Sequence, residues 1–510
     1  MEDSQKSKIY NKIIFLIEIL ISLIIGVSIY KISYKYQDLG NISIPYTIIF
    51  ILFTVCLLGI IIINTKKYKE NVEKMFLTYT IPIGIVLMII LPMNLVPDEG
   101  GHMFKIYDLS LGNIITDMGE NGRADIYVPK QMADISESYN FNYSTLHQHL
   151  QKKADYNDIV AVQTGAKGYF PLNYVSGALV FFIGRIFNIN ILLACYIIRL
   201  INFIIFCTIG YYCIKIIPFG KLLMAIYMFM PMILQQAASL SADTFINSIT
   251  LLFIAYNLQL LYQNKDLTII QRIIYYILAF SIAACKYVYF PLVLMSTLLI
   301  KNKTISRQNK IKTIIISITV SIIITICWYL FSQRYIDYRS YITEANVNST
   351  EQIKYILTNP FKYSFVLGKT LLEDAAYYLL AFVGLELGPL TIKIPQIIIM
   401  IQLFLLGSIP FFEKNENSLT KYQKMILTVI AVIIIVLILT GLYLTWSPVQ
   451  YSRIAGVQGR YFIPVFILLI LPMINANKNI NVKNINIKYF TSFFILNILT
   501  LIRVYETFIR

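Results

Sequence analysis

Residues 75–102 read MFLTYTIPIGIVLMIILPMNLVPDEGGH. From 75 to 95 the run carries no charge, and about 20 apolar residues is what an α-helix needs to cross a hydrocarbon core of ~30 Å. Pro92 and Pro97 then close it, and Asp98 and Glu99 follow at once. Proline removes a backbone donor and pushes the residue before it toward extended backbone, so the span ends here. Two adjacent carboxylates at a membrane–water boundary are costly unless they are solvated, paired or used. The stretch therefore reads as a membrane span delivering acids to its own surface.

The same reading extends outward to runs at 13–32, 43–64, 199–217, 222–238, 244–262, 272–286, 288–300, 313–332, 394–412, 425–446, 460–476 and 488–508. The fold class expected is an all-α polytopic membrane protein with about 13 transmembrane helices. Composition agrees. Of 510 residues, 57% are hydrophobic and 14% charged, with mean hydropathy +0.67. A soluble domain carries about 25% charged residues. A cytosolic enzyme, a secreted disulfide scaffold and a disordered chain are excluded, and runs this long do not match the alternation of a membrane barrel. The span 288–300 is short and is open to merging with its neighbour. The N-terminal run is long enough to span and lacks a small-residue cleavage site, so it reads as a retained first helix.

The formal charge of +16 does not point to nucleic acid. The cations fill short connections: Lys6, Lys8 and Lys12; Lys66, Lys67, Lys69 and Lys74; Lys301, Lys303, Arg307, Lys310 and Lys312; Lys414, Lys421 and Lys424; Lys478, Lys483 and Lys488. All fall on one side if the N-terminus is cytoplasmic. The long polar segments 96–170 and 333–393 then face outward. Segment 170–198, where Arg185 and Arg199 bracket a short second run, is either a full hairpin or a re-entrant element. Segment 361–390 reads as a helix lying at the outer interface. The six cysteines (Cys56, Cys195, Cys207, Cys213, Cys285, Cys327) sit in apolar stretches and read as small core hydrophobes.

Chemistry can live in a few places. Asp98 and His102 share a helical face at i, i+4 if a helix starts at Asp98, and an acid beside an imidazole can accept a proton or help hold a metal. Ordinary capping explains Asp98 and Glu99 as well. His102, His147 and His149 are the only histidines, all in the first outer loop, and the last two read as solvated. Ser239-Leu240-Ser241-Ala242-Asp243 is either a capping turn or a cavity-facing cluster. Lys286 either snorkels or binds a phosphate group. Arg453 and Arg460 occur in one short outer connection, against the inside bias, and an Arg fork matches phosphate oxygens. Gly459 lets backbone approach closely there, and Tyr461 suits an interfacial anchor. The Asn-x-Ser/Thr matches at Asn142 and Asn348 carry no weight.

Pro97-Asp98-Glu99 with His102, Gly168-Tyr169-Phe170-Pro171-Leu172-Asn173-Tyr174, the run ending at Asp243, Lys286 with Tyr289, and Gly456-Val457-Gln458-Gly459-Arg460-Tyr461 occur in this order. Together they resemble the bacterial multipass family catalogued as domain-of-unknown-function family 2142, over about residues 75–476. That family is similar in layout to the GT-C superfamily of membrane glycosyltransferases.

The resemblance implies a GT-C-like bundle with outward-facing loop helices. Residues 1–74 add two N-terminal helices. Residues 75–393 form the catalytic module, and residues 394–510 carry a phosphate-binding motif near 453–461. It implies a polyprenyl-phosphate-type sugar donor and a cell-envelope glycan acceptor at the outer face of a bacterial cytoplasmic membrane. Asp98 would be the general base, with Glu99 supporting it or sharing a metal. Arg460 and Lys286 would hold the lipid phosphate. His102, Tyr169, Tyr174, Asp243, Arg453 and Tyr461 would bind substrate. Asp98-Glu99 stands where some GT-C members have a spaced Asp-x-Asp, which leaves metal dependence open; a divalent cation is compatible but not required. Rival readings are a transporter or flippase of lipid-linked saccharides, a glycan polymerase or ligase, and a non-catalytic scaffold. Transporters show broken helices and paired repeats, and no repeat is visible here.

Overall fold

The computed structural model describes residues 2–36, 44–114, 125–137, 142–332, 346–413, 415–475 and 483–509. Parts of the two long polar segments (115–124, 138–141, 333–345), and Lys414 and Lys478, lie outside the described residues.

The chain opens with α1 (Glu2–Tyr36), α2 (Ile44–Lys67) and α3 (Val72–Ile90). A polar segment follows, with α4 (Glu99–Ser110), β1 (Ile126–Pro129), α5 (Lys130–Glu137), α6 (Tyr143–Gln151) and β2 (Ile159–Val162). β1 and β2 pair antiparallel, Ile126 opposite Val162. Then come α7 (Val175–Ile186), α8 (Ile191–Ile216), α9 (Lys221–Met228), α10 (Pro231–Ala237), α11 (Asp243–Tyr262), α12 (Ile269–Cys285) and a 3-10 helix (Tyr287–Lys301). α13 (Arg307–Ser332), α14 (Ser349–Thr358) and α15 (Pro360–Val383) precede a hairpin of β3 (Glu386–Leu387) and β4 (Ile392–Lys393). α16 (Gln396–Phe412), α17 (Lys421–Thr445), a short 3-10 turn (Gly459–Phe462), α18 (Ile463–Ile470) and α19 (Ile485–Ile509) complete it.

The protein is thus an all-α polytopic membrane protein. Eight described helices are long and apolar enough to cross a bilayer, and shorter apolar helices accompany them. Several expected spans change form. The run 222–238 is two helices, α9 and α10, broken at Phe229–Met230 ahead of Pro231. Nearly every side chain of the pair is buried, as expected for a segment apolar all round. Asn497 Nδ2 donates to the freed Phe229 carbonyl at 3.0 Å, which supplies the partner a broken helix needs. The short run 288–300 does not merge with α12. It is a 15-residue 3-10 helix, and a rise of ~2.0 Å per residue stretches it to ~30 Å, the thickness of the core. The expected span 199–217 begins earlier, at Ile191, so Arg199 lies inside α8 rather than at its edge.

α7 has 12 residues, too few to span, and the chain turns back into α8 after Phe187–Asn190. In that turn Asn190 donates to the His149 carbonyl at 2.8 Å and the Lys152 carbonyl at 2.7 Å, and Arg185 donates to the Ser110 carbonyl at 2.6 Å. The turn therefore stands with the first polar segment, and 170–198 takes neither expected form, a full hairpin or a re-entrant element. The outer face of α7 bears Leu179, Phe182, Ile183 and Ile186, all exposed. The N-terminal pair is not a loose appendage. α1 packs along α3, Gly26 receives Ile89, and Tyr34 stacks on His147 at 3.9 Å. His147 is therefore engaged rather than merely solvated. Asn142 and Asn348 are helix N-caps, accepting from Thr145 and Glu351 amides. All six cysteines are free thiols, with Cys56 and Cys327 exposed.

Candidate functional site

The site begins where α3 stops. Its last turn leaves carbonyls without helical partners, and Arg199 from α8 fills them. Arg199 donates through Nη1 to the Met88 carbonyl at 3.1 Å and the Leu91 carbonyl at 2.7 Å. Nη2 reaches the Pro92 carbonyl at 3.1 Å. The same guanidinium forks onto Glu99, Nε to Oε1 at 2.8 Å and Nη2 to Oε2 at 2.6 Å. Glu99 also accepts the Asn94 amide at 2.9 Å and the Leu240 amide at 3.2 Å. Both side chains are buried, Arg199 at 0% and Glu99 at 1% exposure. This corrects the expectation for Glu99: its lone pairs are committed to Arg199 and backbone amides, and it points away from Asp98's partners.

Asp98 goes the other way. It precedes α4 in the left-handed region, φ 65°, ψ 5°, and makes no capping bond. The helix starts at Glu99, so Asp98 is not a working cap. Its carboxylate pairs with Arg460 Nη2. Arg460 is 3% exposed. Its Nε donates to Gln458 at 2.6 Å, and Nη1 donates to the Pro97 carbonyl at 3.2 Å and to Asp243 at 3.5 Å. Asp243 opens α11 after a turn in which Ser241 Oγ accepts the Asp243 amide, and its other oxygen takes Lys286 Nζ at 3.1 Å. Asp98, Arg460, Asp243 and Lys286 thus form one continuous chain of alternating charge.

Aromatic rings wall this chain. Lys286 lies over Tyr289 at 5.4 Å and over Tyr461 at 5.2 Å, and Arg460 over Tyr461 at 5.2 Å. Tyr289 donates its hydroxyl to the Tyr461 carbonyl at 2.8 Å, tying the 3-10 helix to the start of α18. On the α4 side, His102 Nδ1 and the Tyr174 hydroxyl stand 2.7 Å apart, with Tyr169 edge-on to the imidazole at 5.4 Å. Asn173 donates to the Cys285 carbonyl at 3.4 Å. Asn173 and Gln458 were not singled out in the sequence; each sits beside a residue that was, and only proximity marks them.

Burial pushes the His102 imidazole down to about 4, against the pull of Asp98 and Asp243. It is neutral at physiological pH. Desolvation by the surrounding walls works against ionisation of Asp98, but Arg460 and then His102 outweigh it and hold the carboxyl below its ordinary range. Asp98 stays ionised while its side chain keeps 62% of its surface accessible. Among the described residues no group of three His, Cys, Asp or Glu is placed to hold a metal ion, and both cluster carboxylates already face cations. The donor set does not fit a metal.

Arg453 is not part of the site. Its Nε donates to Asp374 at 3.0 Å and the side chain is half exposed. It ties the connection before Gly459 to α15. The other anticipated residues (Asp98, His102, Tyr169, Tyr174, Asp243, Lys286, Arg460, Tyr461) converge. They come from the α3–α4, α10–α11 and α12–3-10 junctions, the start of α18 and the 165–174 turn. The far ends of these elements carry Lys74, Lys265, Arg272 and Lys301.

No curated protein and no solved structure matched the chain. A family described as predicted membrane protein, DUF2142, matches residues 81–469. That range runs from within α3 into the last turn of α18 and contains every residue of the cluster. By this match over most of its length, the chain belongs to the DUF2142 family of predicted membrane proteins.

Proposed function

We propose that the protein is an inverting membrane glycosyltransferase, GT-C-like in layout, working at the outer face of a bacterial cytoplasmic membrane. Its donor is a sugar on a polyprenyl phosphate or pyrophosphate, and its acceptor a cell-envelope glycan. The observation that carries this reading is the convergence of Asp98, Asp243, Lys286 and Arg460 at the end of the bundle opposite the Lys-rich connections. The positive-inside rule makes that end extracytoplasmic.

The chemistry follows from the pairing. An arriving lipid phosphate competes for Arg460 and Lys286, because both are already desolvated and aimed into one space. Engaging them loosens Arg460 from Asp98. The ionised Asp98 then accepts the proton of an acceptor hydroxyl as its oxygen attacks the anomeric carbon. The bond from that carbon to the phosphate oxygen breaks, and the electron pair leaves with the lipid phosphate between the two cations. A single displacement inverts the centre. Neutral His102, braced by Tyr174, hydrogen-bonds the acceptor without adding charge. Asp243 keeps Lys286 and Arg460 in place. No step calls on a metal.

Among the described residues, the broken helix α9–α10 is a feature that favours a transporter or flippase. Its break, however, is closed by Asn497 and carries no charge, while the ionisable groups sit at the helix ends.

The test compares surface glycans of strains expressing wild type, Asp98→Asn and Arg460→Ala, after confirming membrane insertion. The account expects one sugar lost from the envelope in both variants. Glycans unchanged in both would contradict it. A flippase would leave the lipid-linked sugar on the inner leaflet, out of reach of periodate in intact spheroplasts; a transferase leaves it on the outer leaflet, within reach.

A further inference from the structure

α15 is amphipathic in an unusual place. Phe361, Phe365 and Leu372 fall on one stripe at spacings of four and seven, and they are 90%, 72% and 88% exposed. Lys362 and Lys369, seven apart, run beside them. Such a helix lies in an interface rather than across it.

Its depth can be read from α17. That helix is a candidate span ending at Thr445. The Tyr363 hydroxyl bonds to Thr440, and its ring stacks on Tyr443 at 5.4 Å. Thr440 lies five residues inside the end of the span, ~7.5 Å at the helical rise. Phe361 and Phe365 flank Tyr363, so they stand at acyl-chain depth. The residues just past the span end, Gln450 and Ser452, stand at headgroup depth. Ser349 donates to the Leu444 carbonyl at 2.8 Å, and the Gln450 amide donates to Gln352 at 2.9 Å, fixing α14 at the same level.

Between these levels lies an open groove of about 410 Å³ lined by Tyr355, Phe361, Lys362, Phe365, Gln450 and Ser452. Its lining is mostly apolar, and the ammonium of Lys362, the amide of Gln450 and the hydroxyls of Tyr355 and Ser452 are its polar groups. No carboxylate lines it; Glu351 stands one turn before Tyr355 on α14, and Glu373 and Asp374 further along α15 face Lys369 and Arg453. A ligand with an aliphatic tail below and a single anionic group above matches this order of chemistry.

We propose that this groove binds an anionic phospholipid from the leaflet on the site's side, with the phosphate at Lys362 and an acyl chain against Phe361 and Phe365. The site is separate from the Asp98–Arg460 cluster and does not depend on the reading of that cluster. Bound lipid would hold α14 and α15 against α17, and α15 in turn carries Asp374, which anchors Arg453.

The chain contains two tryptophans, and Trp446 closes α17 just before the groove. With Trp328→Phe as parent, Trp446 reports alone. Full-length protein in detergent is titrated with dibromo-phosphatidylglycerol and, separately, dibromo-phosphatidylcholine, following quenching of Trp446. Preference for the anionic lipid of about fivefold is expected, the value of one lysine at a charged surface. Lys362→Gln brings the ratio close to one, and Lys354→Gln, outside the groove, leaves it intact. Lys362 is exposed, so the variant is expected to elute as the parent does. Equal quenching by both lipids, or a ratio indifferent to Lys362→Gln, overturns the proposal. So does displacement by a polyprenyl phosphate at lower concentration than by phosphatidylglycerol, since the groove would then belong to another lipid.

Discussion

Asp98 and Glu99 are neighbours with opposite environments, and the left-handed backbone at Asp98 is what separates them. Glu99 and Arg199 join three chain segments in a fully buried position. Removing one partner of a buried pair leaves the other charge stranded, at about 3–5 kcal/mol. Arg199→Leu and Glu99→Gln are therefore expected to lower the melting temperature of the purified protein sharply, whereas Asp98→Asn leaves it near wild type. His102 supplies a pH signature. Its folded value of about 4 lies below the ordinary 6.5, so as pH falls the unfolded chain takes the proton first. Its share of stability is present above about 6.5 and is lost progressively toward about 4. Melting curves at pH 7.5 and 5.0 are expected to converge in His102→Gln relative to wild type.

Much of the site was legible residue by residue. Asp98, Asp243, Lys286 and Arg460 each interrupt or end an apolar run, and such a charge needs a reason. Pairing was not legible. Arg199 stood in plain view as the edge of a run, yet an Arg inside a membrane helix asks for a buried acid, and Glu99 was the acid. Arg453 misled because an Arg that departs from the expected charge bias has two explanations, a ligand or a neighbouring helix. Asp374 on α15, nearly 80 residues away, decided between them.

At the scale of elements, spans were legible from length and apolarity, and their internal form was not. Pro231 marks the break between α9 and α10, but a proline also occurs within α3 at Pro82 and within α16 at Pro410 without ending them. Whether a helix survives depends on the partners found by its freed groups. The 3-10 helix likewise meets a length requirement that its 15 residues could not meet as an α-helix. Gly459 gives the element-scale prediction. A Cβ there would collide with the backbone of Ala381 and Phe382 in α15, and Arg460 is the next residue. Gly459→Ala is expected to push the start of α18 off α15 and to abolish whatever Arg460 does. Gly441→Ala, where a Cβ meets nothing, is expected to be silent in the same glycan comparison.

For the whole molecule the claim is one of sidedness. In a chain stripped of native cysteines, a single Cys at the exposed Lys153, in the loop after α6, is expected to react with a membrane-impermeant maleimide in intact cells. A Cys at Lys310 is expected to react only after permeabilisation. The reverse pattern would put the cluster in the cytoplasm and remove the proposed donor from its reach. Accounts of chemistry come down to the donor itself. The most direct measurement is the pool of polyprenyl-linked sugars, extracted and quantified from cells carrying wild type or Asp98→Asn. The account predicts that one sugar-charged polyprenyl lipid rises in the variant while the same sugar falls in the surface glycan. Equal lipid pools together with equal glycans would contradict it.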